Sequence, residues 1–180
     1  GYTGEDGVEI ILPKSFANKA VEMMLANLPD KTMIMPAGLG ARDSLRLEAG
    51  MPLYGHELTE TIDPISAGLQ FAVKLDKGTG DNEAEPFIGQ EALQTIAENG
   101  PKQTLVGLTL EGRRSPRQGM SVLNGEQVIG EVTSGCFSPT FEKPIAMAYI
   151  DSEFEGDEVM IDFGRTQLPA TIAPLPFYKR

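Results

Sequence analysis

A few side chains in this 180-residue sequence have the chemistry to bind a ligand or to react. Glu9 stands between Val8 and Ile10, just after the turn-rich GYTGEDG. On an extended segment it points away from both neighbours. A carboxylate so placed is either solvated or an acceptor for the paired N–H groups of a ligand. Arg42 stands near the start of an expected helix, where the macrodipole disfavours a cation, so it wants an anionic partner. A guanidinium grips a carboxylate bidentately, whether that carboxylate lies inside the protein or on a ligand. Cys136, in SGCF, is the single cysteine, and His56, in LYGHE, is the single histidine. A nucleophilic thiol needs a base, and nothing in the sequence joins these two. Cys136 therefore reads as a small buried hydrophobe, and His56 as a loop residue.

Other patterns carry less. Glu5, Asp6 and Glu9 are an acidic group without the spacing of a calcium loop, so Glu5 and Asp6 read as solvated. Gly38-Leu-Gly40 and Gly78-Thr-Gly80 each lack the third glycine of a dinucleotide fingerprint. They read as helix entry and loop.

Composition narrows the classes. There are 15 Lys and Arg against 26 Asp and Glu, a formal net charge of −11. At 41% hydrophobic and 23% charged residues the chain has globular composition. No apolar run approaches the roughly 20 residues of a membrane span. No run of Lys and Arg offers a phosphate footprint, so nucleic-acid binding is not expected. One cysteine excludes an internal disulfide, and one histidine excludes a multi-histidine metal site. Nothing resembles a signal peptide, and the first residue is Gly1. Either a leader has been removed or the sequence begins inside a longer protein.

The elements that must position these residues change character near residue 100. Residues 8–12 read as a short strand stopped by Pro13. A helix is expected over 16–28, with Ser15 as N-cap and Phe16, Ala20, Met24 and Leu28 as its apolar stripe. A second helix over 39–49 ends at Gly50 as a left-handed cap and puts Arg42 and Arg46 on one face. Residues 68–75 alternate as a strand that includes Phe71. The polar stretch 76–86 reads as a loop between units, and 88–98 as a third helix stopped by Gly100-Pro101. From Thr104 onward the period is two. Asn124-Gly125 marks a hairpin, and further strands are expected over 128–133, 145–150, 159–163 and 170–172. The fold class is α+β, with an antiparallel barrel or sandwich after residue 100.

Taken together, GYTGEDGVEI (1–10), ARDSLRLEAGMPLYGHEL (41–58), FIGQEAL (87–93) and GEVTSGCFSP (130–139) resemble the T-protein of the glycine cleavage system, an aminomethyltransferase family. The resemblance runs over the whole chain, and its order and spacing fit. It implies that residues 1–99 are the C-terminal portion of a folate-binding domain and 100–180 a C-terminal β-barrel. Family members are about twice as long, with GYTGEDG near their middle. The resemblance therefore implies a C-terminal half whose catalytic Asp lies in the other half, so no catalytic residue is assigned. It implies tetrahydrofolate as co-substrate, no metal, and the lipoylated H-protein as partner. Nucleic acid and membrane are not implied, and the compartment is the bacterial cytoplasm or the mitochondrial matrix. Position by position, Glu9 matches the pterin-contacting Glu, and Arg42 the Arg of ARDSLR lining the folate region. Tyr2 matches an aromatic wall, Phe71 a stacking position, and Arg117 a loop Arg of the barrel. The same superfamily includes folate-dependent demethylases, folate-binding regions of sarcosine and dimethylglycine oxidising enzymes, and iron–sulfur maturation factors. The maturation factors carry a Cys-containing segment where this chain reads EPFIGQE (85–91).

Overall fold

The computed structural model describes residues 1–26, 30, 34–78 and 84–179. After residue 100 the chain forms a closed barrel of six strands: β1 (Gln103–Leu110), β2 (Ser121–Asn124), β3 (Gln127–Ser138), β4 (Lys143–Asp151), β5 (Glu158–Asp162) and β6 (Gln167–Ala173). Around the barrel the order is β1-β4-β3-β2-β5-β6, and β6 closes on β1. Every pairing is antiparallel. The two-residue period of the sequence is what a barrel wall requires, because alternate side chains enter the interior. Leu108, Val122, Val132, Ala148 and Ile161 fill that interior and are fully buried.

Strand β4 is buried on both sides. Its Ala146, Ala148 and Ile150 enter the barrel core. Its Ile145 and Met147 face outward and pack with Leu47, and the Tyr149 hydroxyl donates to the Glu57 carbonyl at 2.9 Å. A strand covered on both faces carries a near-continuous apolar run, which is why residues 144–150 read PIAMAYI.

Before the barrel lie a 3₁₀ turn (Lys14–Phe16), α1 (Ala17–Ala26), α2 (Leu39–Glu48), a second 3₁₀ turn (Gln70–Ala72) and α3 (Gln90–Asn99). Helices α2 and α3 stand where the spacing predicts, and Gly50, at φ +64°, takes the left-handed cap position. Helix α1 begins through the 3₁₀ turn, with Pro13 rather than Ser15 as its cap. The expected continuation to Leu28 lies outside the described residues, as do Met33 and Gly80. No residue of α1 is buried.

Three expectations are corrected. Residues 8–12 are extended but belong to no strand. Val8, Glu9 and Ile10 are all exposed, so no buried face lies opposite Glu9. Alternation makes a strand only when an edge is there to pair with it. Residues 68–75 are not a strand either. Consecutive turn bonds, Ala67 N–H to Asp63, Gly68 N–H to Ile65 and Leu69 N–H to Pro64, wind the backbone tightly up to the 3₁₀ turn holding Phe71. The hairpin is shifted by one residue. Asn124 pairs with Gln127, so the loop is Gly125-Glu126, with Gly125 at φ +60°. That is the first loop position, the one a type II′ turn reserves for glycine.

Candidate functional site

The N-terminal loop lies against the C-terminal end of α2. Gly4 sits at φ +74°, and a Cβ there would come within 2.7 Å of the Ala49 methyl, so only glycine permits this approach. The loop holds Tyr2 at φ +68°, a region that costs a bulky residue about 1–3 kcal/mol. The Tyr2 ring lies 5.1 Å from the Arg42 guanidinium carbon, a cation–π contact. Burial pushes the Tyr2 phenol up from its ordinary pKa. The Arg46 charge opposes that, Glu57 reinforces it and Arg42 opposes it. The phenol is therefore protonated at neutral pH and available as a donor.

Glu9 folds back onto the start of the chain, where a Cβ on Gly1 would collide with its carboxylate. Tyr2 and Arg42 thus meet at the loop–helix junction, and Glu9 folds onto Gly1, the residue before Tyr2. Among the described residues neither Glu9 nor Arg42 has an ion-pair partner, because both ion pairs belong to Arg46. Asp43, next in sequence to Arg42, binds Arg46 Nε at 2.8 Å instead. The internal ion pair considered for Arg42 is therefore not formed among the described residues. Phe71 is 86% exposed on its 3₁₀ turn, and Arg117 is exposed in the β1–β2 loop. Neither makes a hydrogen bond, ion pair or ring contact with the other three among the described residues.

Beneath this junction lies a buried polar network that spacing did not reveal. Arg46 is 2% exposed and Glu57 0%. Arg46 Nη1 donates to Glu57 Oε2 at 3.0 Å, and Nη2 to Ser134 Oγ at 2.8 Å. The Leu53 amide also donates to Glu57 Oε2, at 2.8 Å, while Oε1 is buried without a hydrogen-bond partner among the described residues. A β-bulge places Ser134. Val132 pairs with Ala148, but Ser134 pairs with Met147, so Thr133 is the extra residue. Unbulged, Ser134 would face the barrel interior; the extra residue turns it outward to Arg46. The Thr133 carbonyl lies 2.9 Å from His56 Nδ1. A carbonyl only accepts, so Nδ1 is the protonated ring nitrogen. Two residues on, Glu48 accepts from Thr140 Oγ1 at 2.8 Å and from the Ser138 hydroxyl, which ties α2 to the β3–β4 hairpin. The second Arg of ARDSLR and the Glu of YGHEL were the only available signals, and the partner of Arg46, Ser134, lies 88 residues away.

The thiol is inert in this setting. Burial pushes Cys136 up to about 11, with Asp43 and Glu48 adding to the shift and Arg46 and Arg117 opposing it. Few thiolates exist at neutral pH, and the structural reading of Cys136 stands. A cleft of about 1180 Å³ lies elsewhere, between residues 55–66, the end of α3 and the barrel wall. His56, Asp63, Asn99, Gln118 and Tyr149 are among the residues that line it, and none of Tyr2, Glu9, Arg42, Phe71 or Arg117 does. Among the described residues no three His, Cys, Asp or Glu side chains gather as a metal site, and no helix is long and apolar enough to cross a membrane.

Fold and site define an α+β protein in which a helical segment, carrying a Tyr–Arg–Glu junction on a glycine-rich loop, is clamped to a closed six-stranded antiparallel barrel. Residues 1–77 match the family model described as the GCVT N-terminal domain, and residues 103–179 match the glycine cleavage T-protein C-terminal barrel domain. The chain belongs to the glycine cleavage T-protein family. The aminomethyltransferase of Symbiobacterium thermophilum is 46% identical over 99% of this chain and 46% of its own length. That of Streptomyces avermitilis is 46% identical over 100% of this chain and 48% of its own. The crystal structure of glycine cleavage system aminomethyltransferase T from Bartonella henselae superposes with a TM-score of 0.86 at 38% identity, over 99% of this chain and 48% of that one. The chain spans about half the length of the curated relatives it matches.

Proposed function

We propose that this chain forms part of a tetrahydrofolate-dependent aminomethyltransferase. The whole protein would take the one-carbon unit from the aminomethyl-lipoyl arm of an H-protein, pass it to tetrahydrofolate and release ammonia. Residues 1–99 would complete the folate-binding domain and 100–180 would form the C-terminal barrel domain. The carrying observation is the junction itself: Arg42 covers the Tyr2 ring, and a Glu9 carboxylate with no ion-pair partner among the described residues folds onto Gly1, the residue before Tyr2. This donor and acceptor set fits a pterin. Glu9 would accept its adjacent N–H groups, Tyr2 would give its ring an aromatic wall, and Arg42 would face the ligand's anionic groups. Phe71 and Arg117 are proposed as outer contacts to the same ligand. Tetrahydrofolate supplies the nitrogen that takes up the one-carbon unit; the chain's residues bind and orient it. All the relatives named above are bacterial, which supports a bacterial cytoplasm as the compartment.

Calorimetric titration of the 180-residue chain with tetrahydrofolate tests the reading. Weak binding is expected, falling a further tenfold or so in Glu9→Ala, the cost of losing a charged hydrogen-bond acceptor. Unchanged affinity in that variant removes Glu9 from the site. No ammonia release from aminomethylated H-protein is expected from the chain alone.

A further inference from the structure

The ion pair beneath the junction leaves one oxygen unused. Glu57 is fully buried. Its Oε2 accepts from Arg46 Nη1 and from the Leu53 amide, while Oε1 has no hydrogen-bond partner among the described residues. A buried carboxylate oxygen without a donor is costly, and such atoms are rare. Arg46 does not supply the donor, because its N–H groups go to Asp43, Met51, Glu57 Oε2 and Ser134. Gly55 and His56 line the 1180 Å³ cleft but Glu57 does not, so a group in that cleft does not supply it either.

Helix geometry puts a donor close by. Arg42, Arg46 and Ala49 are spaced by four and then three, so they form one stripe along α2 and its C-cap. Tyr2 stacks on Arg42 at one end of that stripe, and Gly4 presses on the Ala49 methyl at the other. Residues 2–4 therefore run along the stripe. Arg46 lies between its two ends, with Glu57 3.0 Å away. The Tyr2 hydroxyl has no hydrogen-bond partner among the described residues. After burial, the charges that act on this phenol are Arg46 first, Glu57 second and the stacked Arg42 last. The ring face is turned to Arg42, and the hydroxyl end to the buried pair.

We propose that Glu57 is a positioning residue of the ligand site: its free oxygen accepts the Tyr2 hydroxyl when a flat ligand lies on the ring. The Arg46–Glu57 pair then anchors the aromatic wall from beneath. It also helps to hold the left-handed Tyr2 backbone, at φ +68°, with a bond that the loop itself does not contain. Glu57 touches no ligand and acts through Tyr2. The role rests on the folate reading of the junction. The chemistry of the two groups matches. Burial and Glu57 keep the phenol protonated, an ionised carboxylate only accepts, and an ionised acceptor makes the stronger bond. A Glu57 that served only to brace α2 and residues 51–58 would leave the Tyr2 hydroxyl indifferent to it.

A double-mutant cycle in tetrahydrofolate binding by the 180-residue chain tests the role. Tyr2→Phe removes the hydroxyl and keeps the ring, and Glu57→Gln removes the charge and keeps the shape. Each should weaken binding about two- to tenfold, the worth of one hydrogen bond. The double variant should lose no more than the worse of the two, because both changes break the same bond. Without ligand, carbon NMR at Tyr2 Cζ should show the phenol titrating at lower pH in Glu57→Gln, since the carboxylate that raises its pKa is gone. If Glu57→Gln does not fold cooperatively, the wild type and Tyr2→Phe suffice. Tetrahydrofolate should then shift the Glu57 Cδ resonance in the wild type and not in Tyr2→Phe. Additive losses, an unchanged Tyr2 titration or the same Glu57 response in both chains overturns the role and leaves the folate reading standing. No tetrahydrofolate binding by the wild type removes the folate reading and this role with it.

Discussion

The barrel and the hundred residues before it manage their apolar side chains in opposite ways. In the barrel, Leu108, Val122 and Ile161 are sealed from solvent, and β4 is covered on both faces. Before it, Val8, Ile11, Phe71 and Ile88 are more than four-fifths exposed, and α1 buries nothing. A closed barrel satisfies its own backbone and core without outside help. The preceding segment instead draws its order from a few polar anchors on the barrel's outer face: Arg46 to Ser134, Glu48 to Ser138 and Thr140, and Tyr149 to Glu57. One part is held by packing, the other by buried hydrogen bonds together with Leu47 packed on Ile145 and Met147.

The sharpest way to break that contrast is Glu57→Ala. It removes the buried one of Arg46's two carboxylate partners and leaves the half-exposed Asp43, so the cost should approach but not exceed the about 3–5 kcal/mol typical of an uncompensated buried charge. Hydrogen exchange should show α2 and residues 51–58 losing protection while β1 and β4 keep theirs. Equal loss in both parts would mean the two fold as one unit. Leu108→Ala acts on the other side of the contrast. It opens a cavity in the barrel interior at about 2–5 kcal/mol and should lower protection throughout, since the anchors of α2 rest on the barrel. Urea unfolding followed by exchange separates the two cases. The smallest effect belongs to Ile11→Ser. With 99% of its surface already exposed, stability of this chain should change by less than about 0.5 kcal/mol. A larger loss would show that the segment is buried in solution.

Much of the barrel was legible in advance because its determinants are local. Strand period, the Asn124-Gly125 turn signal and the helix stops are set by neighbours within a few residues. The strand expected at 8–12 failed because pairing requires an edge that no local pattern supplies. The strand at 68–75 failed because turn bonds from Asp63 onward overrode its alternation. At the candidate site, Tyr2, Glu9 and Arg42 were named from motifs, and the structure stacks Arg42 on Tyr2. Arg46 and Glu57 were passed over because a charged residue on a helix or in a loop reads as solvated until its burial is known.

The amino-acid order alone determined the α+β division near residue 100, the lengths of α2 and α3, the net charge of −11 and the motif set of a T-protein chain. Only the tertiary structure decided which charges matter. The bulge at Thr133 turns Ser134 toward Arg46, and closure of the barrel brings Thr166 onto Arg114 across 52 positions of chain. Period and propensity act over a few residues, whereas register, bulges and closure are set by contacts between segments far apart in sequence. No single stretch of the chain contains them.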